Sequence, residues 1–191
     1  MPRILKKEII DGQVFSIHLE GVGFSLAQMR NNYKMEFFNI LRKEDCWEDV
    51  DMNELEVSFN IIVASQRLVK LFHRNITSEV VKNLRAPLLI GLSLSSNMRD
   101  SGLYFLNLVK YKLPYYPEEE EIIIENLDPI KHKDILYSYD YIGMVGQVNK
   151  IKERLLTFFV NGINIDPAII ALYPEIGLPP KEYKRKNIDC L

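Results

Sequence analysis

The chain has 191 residues, a formal net charge of −2, 47% hydrophobic and 10% aromatic residues. That is enough apolar material for one packed domain and too much for a disordered segment. A general nucleic-acid binder carries a basic excess that this balance lacks. Only two cysteines occur, Cys46 and Cys190, so no disulfide framework is implied and a reducing, cytoplasmic setting is expected. No apolar run follows the charges of the N-terminus, and none elsewhere is long enough to span a bilayer, so neither a secretory signal nor membrane association is expected.

The first half alternates at period two, the repeat of a strand with different faces. Val14–Leu19 puts Phe15, Ile17 and Leu19 on one side and Ser16 and His18 on the other. Gly23–Met29 and Met35–Leu41 continue the pattern, with Glu36, Phe38 and Ile40 opposing Met35, Phe37 and Leu41. Glu20-Gly21-Val22-Gly23 and Arg30-Asn31-Asn32-Tyr33 supply the residues that tolerate positive φ, which makes a meander of three strands. Glu44–Glu56 carries seven acids and no base and reads as a loop. Glu56–Val63 resumes the strand pattern, with Val57, Phe59, Ile61 and Val63 on one face. Ala64–Arg74 is open between a short helix and a strand. Asn75–Ala86 reads as a linker, or a short helix capped by Thr77 or Ser78, and offers the one weak boundary in an otherwise single domain.

Leu88–Leu94 and Leu103–Lys112 form a hairpin around Ser95–Gly102, and Ile122–Ile124 is a short β-branched stretch behind the acidic run Glu118–Glu121. Apolar residues at Val145, Val148, Ile151, Leu155 and Phe158/Phe159 define a helical stripe, closed by Asn161-Gly162. Asp166-Pro167 opens a second helix with the acid at the cap and proline in the first turn. The expected class is α+β: a bent antiparallel N-terminal sheet, a partial barrel of SH3-like kind, with a further hairpin and two C-terminal helices.

A recognisable catalytic centre is missing from the pattern. His18, His73 and His132 have no partners at metal-ligand spacing, Cys46 lies among carboxylates that disfavour a thiolate, and the glycine pairs at Gly21/Gly23 and Gly143/Gly146 lack a phosphate-loop completion. No metal and no cofactor are expected. The candidate site is the acidic stretch with Glu44, Asp45, Trp47, Glu48, Asp49, Asp51 and Glu54. Trp47 is the sole tryptophan, and clustered acids attract a basic partner. Trp47 can serve there as a surface anchor or can plug the core while the acids stay in water. Two other readings stay open: a small hydrolase or transferase combining His18 with Gln28 or Glu36, and an RNA-binding or scaffold module using the basic tail, Lys181, Tyr183, Lys184, Arg185 and Lys186.

The run Gly12-Gln13-Val14-Phe15-Ser16-Ile17-His18-Leu19-Glu20-Gly21, followed by Phe24 and Ala27-Gln28-Met29, resembles the opening of the bacterial immunity protein twenty-six family. Phe37-Phe38 and then Phe59, Ile61 and Val63 resemble its later strands. Gln13 and His18 stand where that family favours Asp and Pro. The resemblance implies a non-enzymatic protein made beside a toxin that it neutralises by binding. With the acidic stretch as contact surface, the cognate toxin is expected to be basic, a nuclease for example.

Overall fold

The computed structural model describes residues 4–64, 67–181 and 183–185. The fold is α+β, with two open sheets, neither closed into a barrel. The residues divide into two compact units. One takes the chain up to Pro87 together with Met144–Val160, and the other takes Leu88–Gly143 together with the chain from Asn161 onward.

The first unit is built on a six-stranded sheet. Strands β1 (Val14–Leu19), β2 (Gly23–Arg30), β3 (Lys34–Phe38) and β4 (Val57–Val63) form an antiparallel meander. A two-residue strand β5 (Arg74–Asn75) lies outside β1. The turns are those expected: Asn31 and Asn32 take φ of 50° and 61°, the left-handed pair that matches the twist of a tight hairpin. Gly23 has φ of 148°, and a Cβ there would stand 2.4 Å from the carbonyl oxygen of Arg42. That contact exists because the chain returns beside β2 after β3, with Phe24 and Arg42 exchanging backbone hydrogen bonds of 2.7 and 2.9 Å.

The odd-numbered residues of the meander make one core. Phe15, Ile17, Leu19, Met29, Met35, Phe37, Phe59, Ile61 and Val63 are all buried there. It is covered by helix α2 (Val148–Asn161), whose Ile151 and Leu155 enter the core with Val148 and Phe159 beside them. This is the stripe expected from the sequence except at its start: Val145 lies in a two-residue strand ahead of the helix, which begins at Val148. Val57 departs from expectation. A bulge between Phe37 and Phe38 lets Phe37 face Phe59 while Phe38 faces Val57, so Val57 turns to the opposite side of the sheet.

The segment 75–86 is neither a linker nor a helix. After β5 it crosses the even-numbered face of the sheet as a strap, held by Thr77 Oγ1 accepting from the Val14 amide at 2.9 Å and by Asn83 exchanging bonds of 2.9 and 3.0 Å with Gln28. Beneath its end, the buried pair Arg30–Glu36 (2.9 Å) is completed by Asn83, which donates to the same carboxylate at 3.0 Å. In the ambiguous stretch before β5, the described residues 67–73 form turns whose Leu68, Leu71 and Phe72 join the first core.

The second unit has a three-stranded antiparallel sheet of β6 (Ile90–Met98), β7 (Tyr104–Lys110) and β8 (Glu121–Ile124), in that order. Helix α1 (Lys133–Ser138), absent from the sequence reading, and α3 (Pro167–Leu172) pack their apolar sides with Leu92, Leu106 and Leu108. Asp166 caps α3 by accepting from the Ala168 amide at 2.9 Å. Tyr173 sits at the centre, fully buried. Its hydroxyl accepts from the Leu106 amide (2.8 Å) and donates to the Leu127 carbonyl (3.0 Å). Strand β9 (Met144–Val145) returns to the first unit, pairing parallel to β4.

Candidate functional site

The acidic stretch folds across the even-numbered face of the first sheet. Its apolar side chains point inward: Trp47, Val50 and Met52, with Leu55 beside them, pack on Val14, Leu26, Phe38 and Ile76 to make a separate small core. Trp47 is completely buried. Of the two roles open to it, the structure assigns the plug, and the surface-anchor role is corrected accordingly: an indole of this size recovers more by filling the sheet face than by standing in water.

Asp45 is half-buried and is a structural hub. It accepts from the Trp47 indole N–H, from Arg74 Nε at 2.5 Å and from Ser16 Oγ at 3.2 Å, while its backbone carbonyl takes Arg74 Nη2 at 2.7 Å. Arg74 is also paired with Glu79, and these hydrogen bonds push the guanidinium pKa further up. Asp45 is therefore committed to fixing the loop. Asp49 is exposed and takes a two-pronged bond from Arg42 (2.6 and 3.0 Å), which holds its carboxyl below the usual carboxylate range. The same guanidinium lies 5.4 Å from the centre of the Trp47 ring and donates to the Cys46 carbonyl at 2.8 Å, so Arg42 closes the outer side of the plug.

The far end of the loop is stitched to the strap. The Met52 amide donates to the Val81 carbonyl (2.9 Å) and the Val81 amide to the Val50 carbonyl (3.0 Å). Asn53 bonds Lys82 and Leu84, and Arg85 donates to the Leu55 carbonyl at 2.6 Å. Asp51 is exposed and closes a local turn by accepting from the Asn53 amide at 2.8 Å. Glu44, Glu48 and Glu54 are exposed. The seven residues expected to form one contact surface thus divide in two: Trp47 and Asp45 hold the loop from beneath, and Glu44, Glu48, Asp49, Asp51 and Glu54 stand at the surface.

A second cluster borders the first. His18 and Phe24 face each other across β1 and β2 and stack at 4.7 Å between ring centres. The ring of His73 approaches both, at 5.7 and 5.2 Å, and its Nε2 lies 3.8 Å from Asp45 Oδ2. The Ser16 hydroxyl spends its hydrogen bond on Asp45. No local pattern in the sequence links these residues, because Arg74 and His73 come from almost thirty positions beyond Asp45. The combination of His18 with Gln28 or Glu36 does not form. His18 lies opposite Phe24 and Gln28 opposite Val14, four residues along the ladder, or about 13 Å.

A family model described as Domain of unknown function (DUF8309) matches residues 1–89. The span takes in β1 to β5, the acidic loop and the strap. No curated protein and no solved structure matches the chain.

The basic tail is partly built into the second unit. Arg185 pairs with Asp140 at 3.0 Å, and the Tyr183 ring meets Tyr137 edge-on at 5.4 Å. Lys181 and Lys184 are exposed. Lys186 and Cys190 lie outside the described residues. No helix among the described residues is long and apolar enough to cross a membrane. Among the same residues, no group of three or more His, Cys, Asp or Glu side chains is placed to hold a metal ion.

Proposed function

We propose that this chain is a cytoplasmic, non-enzymatic immunity protein of bacterial type that binds and neutralises a cognate basic toxin through the exposed carboxylates of the loop 44–56. The observation that carries the reading is the loop's division of labour. Its apolar residues and Asp45 are locked into the sheet, while five acids stand outside on a frame held at both ends. A loop held in this way loses little freedom on binding, and clustered charge of one sign raises the rate of encounter with an opposite surface. The N-terminal resemblance to immunity protein twenty-six points the same way. The competing hydrolase reading loses the pairing on which it rested, since His18 stands apart from Gln28 and Glu36.

The test uses the product of the adjoining reading frame, which the proposal expects to carry a toxin domain. The wild-type chain is expected to bind that domain in a pull-down and to relieve its growth inhibition on co-expression. The variant Glu44→Lys/Glu48→Lys/Glu54→Lys is expected to lose both while keeping native circular dichroism. A wild-type chain that gives no protection, or a triple variant that protects as well as the wild type, refutes the proposal.

A further inference from the structure

We propose that the outer edge of β8 is a docking site for an extended, basic segment of another protein, which adds to the second unit's sheet as a fourth strand. β8 ends the order β6-β7-β8, and no other strand pairs with its outer edge among the described residues. Such an edge offers a row of backbone donors and acceptors, and proteins blunt it with lysine, proline, other charges, bulges or short strands. β8 carries neither lysine nor proline; its guards are its acids, its bulge and its four-residue length, and a basic strand turns the acids into partners. β8 is three isoleucines behind a glutamate, and Ile122 and Ile123 are 53% and 39% exposed. β-Branched residues at this exposure are suited to receiving a strand.

Charge selects the occupant. Glu118, Glu119, Glu121 and Glu125 are all exposed around the four-residue strand, and Lys110 on β7 faces only Glu121. A second copy laid along this edge, in either direction, would bring acid-rich ends together, and like charges facing each other destabilise a ladder. A strand carrying lysine or arginine at both ends instead meets the acids that flank the isoleucines, Glu118, Glu119 and Glu121 before them and Glu125 after them, with opposite charge. This edge belongs to the second unit and does not depend on the role given to the loop 44–56.

The experiment is fluorescence anisotropy of the full chain with two labelled peptides. Both have a valine-threonine-valine core, one flanked by lysines and the other by glutamates. The wild-type chain is expected to bind the lysine peptide about tenfold more tightly than the glutamate peptide, the order of magnitude that exchanging repulsion for attraction at the two ends of the strand supplies. Amide hydrogen exchange of residues 121–125 is expected to slow in the complex. Glu121→Lys/Glu125→Lys is expected to invert the preference, and Ile123→Pro to abolish binding of both peptides. Ile123 sits at the β7–β8 irregularity without a facing partner, so proline there spares the ladder. Should Ile123→Pro fail to fold, the charge reversal decides. Failure of the wild type to bind the lysine peptide, or an unchanged preference in the charge-reversed chain, overturns the proposal. So does a wild-type dimer that Ile123→Pro dissociates, because the occupant is then a second copy.

Discussion

Replacing Trp47 tests the frame on which the acidic loop rests. A buried indole removes about 200 Å² from water, which at about 25 cal/mol per Å² is worth about 5 kcal/mol. Large-to-small changes of this type in closed cores cost about 3–5 kcal/mol. Trp47 also donates to Asp45, but that carboxylate keeps Arg74 and Ser16 when the indole is lost. Trp47→Ala is therefore expected to lower stability by about 3–5 kcal/mol. Trp47→Phe retains most of the apolar contact and loses the hydrogen bond to a charged acceptor, for about 1–3 kcal/mol. Urea unfolding followed by far-ultraviolet circular dichroism measures both, without relying on the residue removed. The native protein gives an independent reading: as the sole tryptophan, Trp47 should emit at short wavelength and resist quenching by acrylamide until the chain unfolds. A Trp47→Ala variant within about 1 kcal/mol of wild type, or a native emission like that of an indole in water, would refute the plug.

Single reversals at Glu44, Glu48 or Glu54 should each change stability by no more than about 0.5 kcal/mol in the same unfolding assay, since each side chain is exposed. Glu36→Ala, by contrast, leaves the Arg30 guanidinium buried without its carboxylate and should cost about 3–5 kcal/mol. Desolvation raises the Tyr173 pKa above its ordinary value. Its stabilising contribution is thus complete below the unfolded tyrosine pKa of about 10 and is lost as pH climbs toward the folded value. Stability, followed by unfolding between neutral and strongly alkaline pH, should accordingly fall as pH rises above about 10. Tyr173→Phe should reduce that fall, to which Tyr115 and Tyr141, also raised by burial, contribute, while leaving the Leu106 amide without its acceptor.

Local rules carried the meander. The period-two alternation gave β1 and β2 their faces, and Asn31-Asn32 and Gly21/Gly23 marked both turns. The stripe of α2 was equally plain, as was the Asp166 cap of α3. What stayed hidden depends on long-range pairing. The bulge that turns Val57 over is a two-strand property, and no residue in 57–63 announces it. The strap 75–86 is polar and looks like a connector, yet Asn83 and Thr77 are polar because they complete the ladder and side chains of β1, β2 and β3. The interleaving of the units follows from β9 and α2 rejoining the first sheet after an excursion of more than fifty residues, and nothing local in residues 144–161 signals that return. For the site, the acids were legible as a group because exposure follows from charge. The division between Asp45, taken by Arg74, and its exposed neighbours was not, because the arginine comes from a distant turn.

The loop's proposed role is tested most directly by the rate, as a function of salt, at which this chain associates with whatever toxin domain the adjoining reading frame proves to encode. The loop 44–56 predicts a rate that falls steeply as ionic strength rises, and that drops toward an unsteered value in the Glu44→Lys/Glu48→Lys/Glu54→Lys variant at low salt. A rate indifferent to salt and identical in the two proteins would contradict it.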